Sequence, residues 1–449
     1  MLRIQNSYEK KLERESYDKE LAAVDEILRN VRVRGDAALF EYTKKFDGTE
    51  LTSATVKVSE SEIAEAYERV DGALLEALGR AKTNILKYHE RQRPTDAFDG
   101  KTGWKFVPVK RAGLYVPGGL GAYPSSVLMS ALPAVAAGVD NIVMVTPNLK
   151  NPLILAAAKL CGVNRIYRIG GAQAIAALAY GTQSVEKVDM IAGPGNIYVT
   201  LAKKRVFGEV GIDMLAGPSE VAVLADAMAN PKLVIADLLA QAEHGPNGAS
   251  ILVTTDSGLA AAVAGGLDHA IENSARREIL KDAIERHCQI IAVKTMKQAI
   301  KIINDIASEH LEICTANAYE ISRSVYNAGA IFIGHDTPVA AGDYYAGPSH
   351  VLPTGGTGRF SSVLSTDTFL KRISLIGYNK AELSAAGSDI VRLAETEGFE
   401  AHANSVKLRI ESRKLKIADV ILSEREESQA ISPNHISYNP NFSTFHFSF

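Results

Sequence analysis

The stretch Asn141–Ala192, NIVMVTPNLKNPLILAAAKLCGVNRIYRIGGAQAIAALAYGTQSVEKVDMIA, decides the fold. Asn141–Thr146 (NIVMVT) reads as a buried strand, Pro152–Cys161 as a helix and Arg165–Ile169 (RIYRI) as a second strand. Ala172–Tyr180 is alanine-rich and helical, and Val188–Ile191 opens a third strand. Short β-rich runs alternating with helical runs make a βαβαβ series, which predicts a parallel sheet with right-handed crossovers. The pattern then starts again. Strands are expected at Val221–Leu224, Ser250–Thr255, Ile290–Val293 and Ala330–Ile333, with helices at Leu233–Gln241, Leu259–Asn273 and Met296–Ala307 between them. Two such series predict two doubly wound α/β domains with a cleft between them.

Outward from this centre the patterning changes. Residues 7–47 carry Leu21, Val24, Ile27 and Leu28 at helical spacing among charges, and Ser59–Gln92 is amphipathic and charge-rich. Thr366–Glu397 is expected to be helical and Val406–Ile410 a strand. From Ser428 to Phe449 there is no Asp, Glu, Lys or Arg, while Phe442, Phe445, Phe447 and Phe449 crowd the end. A disordered tail is expected there, with an oligomer contact as the alternative.

Composition excludes several classes. Lys and Arg total 49 against 52 Asp and Glu, which argues against nucleic acid or an anionic membrane as the main partner. Cys161, Cys288 and Cys314 are far apart and form no CxxC, so neither a disulfide framework nor a zinc knuckle is expected. The most hydrophobic window, Val127–Val145, contains Pro133, Gly138, Asp140 and Asn141, a poor membrane span. The opening MLRIQNSYEKKLERESYDKE has no apolar h-region, so the cytoplasm is the expected location.

Glycine–proline turns cluster where strands end: VPGG (Val116–Gly119), AGPGN (Ala192–Asn196), AGPSE (Ala216–Glu220), HGPNG (His244–Gly248) and AGPSH (Ala346–His350). Ligands of open α/β sheets bind where backbone can approach closely, so five such turns favour a lined cleft. No G-x-G-x-x-G follows a strand, and GGLGAY (Gly118–Tyr123) is a near miss, so pattern alone leaves a dinucleotide open. His244 follows Gln241 by three residues at a helix end, and Asp343 and His350 flank a loop with Gly342, Gly347 and Pro348. Such N and O donors suit Zn²⁺, although structural hydrogen bonding explains each residue taken alone. The adjacent Glu309 and His310, placed at a helix end in ASEHLEI, pair a group that ionises near neutral pH with a carboxylate that can activate water. A surface pair is the alternative.

Taken together these residues resemble the histidinol dehydrogenase family over about residues 20 to 415. The carriers are GLYVPGG, GGAQAIAALAYGT, GPGNIYVT, AGPSEVAVLAD, DLLAQAEHGP, SEHLEI, GDYYAGPSHVLPT and EGFEAHANSVKLR, in order. The resemblance implies Gln241, His244, Asp343 and His402 as ligands of one zinc per subunit, with His402 supplied by the neighbouring subunit of a homodimer. It implies Glu309 and His310 as the catalytic acid–base pair. Ser219, His350 and Glu397 are implied as substrate contacts, together with Gln241, His244, Glu309, Asp343 and His402. Tyr115, Gln173 and Asn196 are implied as NAD contacts. The expected organisation is α/β: two Rossmann-like doubly wound domains with an N-terminal helical arm and a small C-terminal domain swapped across the dimer. By residue this gives an arm (1–20), a discontinuous catalytic domain (21–105 and 222–362), an NAD-binding domain (106–221), the swapped domain (363–427) and the tail (428–449).

The implied activity is the four-electron oxidation of L-histidinol to L-histidine through L-histidinal in histidine biosynthesis, with no nucleic-acid or membrane partner. The alternative is a dehydrogenase of the same fold acting on another alcohol, such as a sulfonated diol, but a sulfonate would make Glu397 an electrostatic liability. A zinc hydrolase would leave Tyr115, Gln173 and Asn196 idle, and a silent binding protein would not need the intact reacting set. Two departures from the family pattern stand out: Ser308 and Leu215, each where proline is expected.

Overall fold

The computed structural model describes residues 3–9, 17–118, 123–147 and 149–411. The expected tail at 428–449 lies outside the described residues, as do 412–427 of the expected C-terminal domain. After a short strand β1 (Ile4–Gln5) come four helices, α1 (Asp18–Arg34), α2 (Asp36–Asp47), α3 (Glu60–Glu68) and α4 (Gly72–Glu90). Strands β2 (Ala97–Phe98) and β3 (Thr102–Pro108) follow. The first βα series runs β4 (Arg111–Tyr115), α5 (Pro124–Ala137), β5 (Asn141–Val145), α6 (Pro152–Leu160), β6 (Arg165–Tyr167), α7 (Gly171–Tyr180), β7 (Met190–Ala192), α8 (Ile197–Val206) and β8 (Gly211–Ile212). The second runs β9 (Glu220–Ala225), α9 (Pro231–Ala242), β10 (Ala249–Thr254), α10 (Ser257–Glu272), α11 (Arg277–His287), β11 (Cys288–Ala292), α12 (Met296–Ile306), β12 (His310–Cys314), α13 (Ala318–Ser322), β13 (Ala330–Ile333) and α14 (Val339–Tyr344). Strand β14 (Leu370–Ile376), helix α15 (Lys380–Thr396) and a helix over 400–411 complete the described chain.

The two series build two parallel sheets with one topology. The five-stranded sheet is ordered β6-β5-β4-β7-β8, and the six-stranded sheet β1-β11-β10-β9-β12-β13. Counted from its own first strand, each βα series is ordered 3-2-1-4-5, the doubly wound arrangement, and β1 pairs with β11 at one edge. Alternate residues of each strand face opposite helical layers. Val221, Val223 and Ala225 of β9 pack with α9, α10 and α11, while Ala222 and Leu224 pack with α12.

Residues 21–105 were expected to complete the domain around 222–362. The structure places their helices otherwise. Helices α1 and α2 lie on α7 and α8, and α3 and α4 on α5 and α6, all on the five-stranded sheet. The reason is apolar surface: every residue of Ala172–Ala179 in α7 is buried, and α5 is buried nearly all round. A helix apolar on every side needs a second covering layer, which the amphipathic α1–α4 supply. Within α4, Asn84 also donates to the carbonyl of Tyr345 (3.1 Å).

The described residues divide into two compact units, those up to 95 with those of 106–372, which hold both parallel sheets, and 96–105 with 373–411. In the second unit the expected helix over 366–397 starts only at Lys380, because Leu370–Ile376 forms β14 beside β3 in a three-stranded sheet. The expected strand at Val406–Ile410 is helical. Its alternation is incidental: Ala403 and Val406 are buried one turn apart, and the helix lies against Gly387 of α15, where a Cβ would meet Ile410. Among the described residues no helix is long and apolar enough to cross a membrane.

Candidate active site

Helix α12 ends at Ala307, whose φ of +52° makes it the non-glycine residue with left-handed backbone among the described residues. That reversal carries the chain through buried Ser308 and Glu309 directly into β12. Glu309 and His310 therefore stand at the start of a buried strand and not at the end of a surface helix, as ASEHLEI had suggested. HLEIC is too short an apolar run to announce a strand, but every one of its residues is buried between β9 and β13. One residue of β9 clamps the pair. The Glu220 N–H donates to Glu309 Oε2 (2.9 Å), and the Glu220 carbonyl lies 3.1 Å from His310 Nδ1, which must donate to it. Burial pushes the Glu309 carboxyl up to about 7, against the opposing pull of His310 and the Glu220 N–H.

His310 Nε2 lies 3.4 Å from Asp343 Oδ1, an ion-pair separation without hydrogen-bond geometry. Burial pulls the imidazole down, but Asp343 and Glu309 outweigh it and raise His310 to about 9. Asp343 belongs to α14, and its backbone carbonyl accepts from His350 Nδ1 (3.0 Å). That bond leaves His350 Nε2 to accept from the Ser126 hydroxyl on α5 (3.2 Å), and burial holds the ring below its ordinary value, hence neutral. Ser349 Oγ also donates to the Met129 carbonyl of α5 (3.0 Å), so the 349–350 segment is fastened to the five-stranded half.

Gln241 is buried in the last turn of α9 and His244 follows it in the open, its N–H bonded to the Gln241 carbonyl (3.2 Å). The protein around the His244 ring lowers its pKa, Asp343 opposes this and His310 adds to it, so all three share one electrostatic neighbourhood. Among the described residues no group of three or more His, Cys, Asp or Glu is close enough to hold a metal ion. The N and O donors present nonetheless fit zinc. Gln241 Nε2 is buried without a hydrogen-bond partner among the described residues, an amide end that a ligand would satisfy. Ser219 sits half-buried just before β9, its carbonyl accepting the Ala249 N–H (3.1 Å).

Tyr115, Gln173 and Asn196 come together at the other sheet. Tyr115 ends β4, Asn196 caps α8 just after β7, and Gln173 lies in the first turn of α7 after β6. All three follow carboxyl ends of strands, and β4 and β7 flank the switch point of the 3-2-1-4-5 order. The Tyr115 hydroxyl accepts the Gly171 N–H (3.1 Å), Asn196 Oδ1 accepts the Val199 N–H (3.1 Å), and Gln173 is buried. Gly193 has φ +116°, and a Cβ there would lie 2.2 Å from the Tyr115 carbonyl oxygen, so only glycine fits. Its N–H donates to Asp213 Oδ2 (2.8 Å) and its carbonyl accepts from Lys203 Nζ (3.0 Å), while Lys203 and Asp213 form a buried ion pair. Glu397 and His402 belong to the second unit, both exposed, with the His402 ring 5.3 Å from that of Phe399.

Comparison with known proteins settles the family. A histidinol dehydrogenase family model matches residues 10–410. The chain is 51% identical to histidinol dehydrogenase of Heliobacterium mobile over 397 residues, 86% of this chain and 93% of that one. It is 49% identical to that of Geobacter sulfurreducens, over 86% and 92% of the two chains. The crystal structure of histidinol dehydrogenase from Elizabethkingia anophelis matches with a TM-score of 0.84 at 36% identity, covering 91% of this chain and 95% of that one. The chain belongs to the histidinol dehydrogenase family.

As a histidinol dehydrogenase the molecule is an oxidoreductase. Several residues that build the site were not singled out from the sequence of this family member. Glu220 acts through its backbone, for which no side-chain signal exists, although it closes the AGPSE turn. Ser126 becomes a partner of His350 only because folding seats the 349–350 segment against α5. The Ala307 turn is invisible in an alanine, which advertises no left-handed preference. Ser308, one of the two departures, is buried with its hydroxyl unpaired among the described residues. The other, Leu215, is exposed.

Proposed function

We propose that this chain catalyses the NAD-dependent, zinc-dependent four-electron oxidation of L-histidinol to L-histidine through L-histidinal, the closing steps of histidine biosynthesis. In this reading the enzyme is a cytoplasmic homodimer in which the C-terminal unit of each copy serves the other. The observation that carries the reading is the Glu309–His310 pair held on one residue's backbone, with His310 Nε2 turned toward Asp343. Gln241, His244 and Asp343 would hold the zinc with His402 of a second copy, and Ser219, His350 and Glu397 would join them around the substrate. Tyr115, Gln173 and Asn196 would line the NAD edge. When bound, these groups supply a hydride acceptor, Lewis acidity toward the amine and ring nitrogens of the substrate, and a counter-charge for Asp343.

The residues of the chain do the proton work. Because His310 Nδ1 is committed to the Glu220 carbonyl, Nε2 is the nitrogen left to accept a proton, once a cation beside Asp343 offsets the carboxylate charge that otherwise keeps the ring protonated. It takes the hydroxyl proton as hydride leaves the carbinol carbon, giving the aldehyde. Glu309 then takes a proton from a water whose oxygen bonds to the aldehyde carbon, a task suited to a carboxyl raised to about 7, while His310 hands the proton it holds to the carbonyl oxygen as the C=O π bond opens, giving the gem-diol and a free Nε2. His310 removes the next hydroxyl proton as the second hydride leaves, and the carboxylic acid results. Glu397 suits a cationic or N–H-bearing substrate and opposes an anionic one. The test is NADH formed per L-histidinol consumed, before and after chelation. Two NADH, lost on stripping and restored by zinc, support the reading, whereas none from folded, zinc-loaded protein overturns it.

A further inference from the structure

Glu312 lies two residues beyond His310 on β12, so both side chains leave the same face of the sheet. It is buried, 1% exposed. Its Oε1 accepts the N–H of Val339 (2.9 Å), the first residue of α14, and Asp343 follows one turn later on that helix. Its carboxyl also meets the carboxyl of Asp237, on α9 one turn before Gln241, and feels the charge of His310. No N–H or ordinary O–H of the described residues donates to Glu312 Oε2. Two carboxylates cannot hydrogen-bond each other, whereas one proton between them satisfies both. Burial, with the neighbouring Asp237 charge, pushes Glu312 up to about 8, and burial raises Asp237 too, in keeping with a single shared proton.

The geometry points to Glu312, joined to Asp237 by a shared proton, as a positioning residue where α9, β12 and α14 meet, setting Gln241, His244 and Asp343 against His310. It touches none of the reacting atoms. The inference rests on reading those four residues as the metal-holding and proton-transferring set.

Full-length, zinc-loaded enzyme tests it. Glu312→Gln keeps an acceptor for Val339 and offers Asp237 a permanent N–H, so its kcat/KM for histidinol should stay within about threefold of the parent. Glu312→Ala should lower that value by about tenfold to a hundredfold and release zinc on dialysis. The KM for NAD should not move, because the NAD edge is on the other sheet; a general loss of structure would move both. Should Glu312→Ala fail to fold, Val339→Pro carries the test. Proline suits the first helical position, keeps an apolar side chain where Val339 packs against the core, and deletes the N–H, so the same losses are expected. The inference is overturned if folded Glu312→Ala or Val339→Pro keeps its zinc and its activity within about threefold. It is equally overturned if Glu312→Gln is as damaged as Glu312→Ala, or if the KM for NAD rises in step. Absence of NADH in the parent enzyme would instead fault the functional reading, and zinc retention would still decide on Glu312.

Discussion

Glu309 combines two roles that pull apart. Buried beside the Glu220 N–H, it keeps its proton up to about pH 7 instead of its ordinary 4.5, so the folded state binds that proton more tightly than the unfolded state does. Its contribution to stability is present below about pH 4.5 and is lost as pH rises toward 7, where the carboxylate needed for water activation forms. Glu309→Gln removes the ionisation and keeps an oxygen for Glu220. Urea unfolding at pH 8 should find the variant more stable than the parent, by on the order of 1–3 kcal/mol, with the difference fading at pH 5. The same variant should lose the second oxidation by about a hundredfold or more, so that NADH per histidinol falls from two toward one and aldehyde is released. A preserved stoichiometry would move the base elsewhere. His310→Ala should lower both oxidations by about 10²–10⁴-fold in stopped-flow NADH formation.

At the scale of elements, two turns are decided by backbone. Ala307 holds a left-handed φ of +52° in a fully buried position. Ala307→Gly relieves that backbone and loses only a methyl, so denaturant unfolding should move by no more than about 1 kcal/mol, without the cost of a Gly placed mid-helix. A loss of several kcal/mol would show that the buried methyl outweighs the strain. At the other sheet, Asp213 answers both the Lys203 ammonium and the Gly193 N–H, with side chains 3% and 0% exposed for Lys203 and Asp213. Asp213→Ala strands a buried cation and should cost about 3–5 kcal/mol in urea unfolding, far above what a surface pair gives. Because Gly193 lies beside Tyr115, the KM for NAD should rise more than that for histidinol. These elements were unequally legible. Strands β5, β6, β9 and β10 follow from β-rich runs bounded by helices, whereas β12 was missed because a short apolar run has no period of its own, and β14 because its mixed, largely exposed LKRISLI sets Leu370 and Ile373 at helical spacing.

At the scale of the whole molecule, the candidate site draws on both sheets, but in opposite senses. Tyr115, Gln173 and Asn196 follow carboxyl ends of the five-stranded sheet, whereas Glu309, His310 and the clamping Glu220 stand at amino ends of the six-stranded one. The single chain does not bring together three His, Cys, Asp or Glu groups for a metal among its described residues. Completion by His402 of a second copy gives a sharp expectation. Mixing inactive His310→Ala subunits with inactive His402→Ala subunits, then allowing exchange, should restore about a quarter of the parent's sites, since half the dimers are mixed and each has one intact site. If His402 acts within its own chain, the mixture stays dead.

The sequence by itself determined the two βα series, the glycine turns and which side-chain chemistries the chain carries, because hydrophobic period and side-chain chemistry are local properties. Only the tertiary structure decided what those groups answer to. That α1–α4 cover the five-stranded sheet follows from which helices have apolar surface left to bury. That Glu220, Ser126 and Glu312 orient His310, His350 and α14 follows from partners up to 224 residues apart, carried in part by backbone N–H and carbonyl groups that all residues share. Such groups leave no mark in a sequence; they acquire a role when folding excludes water and each buried polar atom must find a partner.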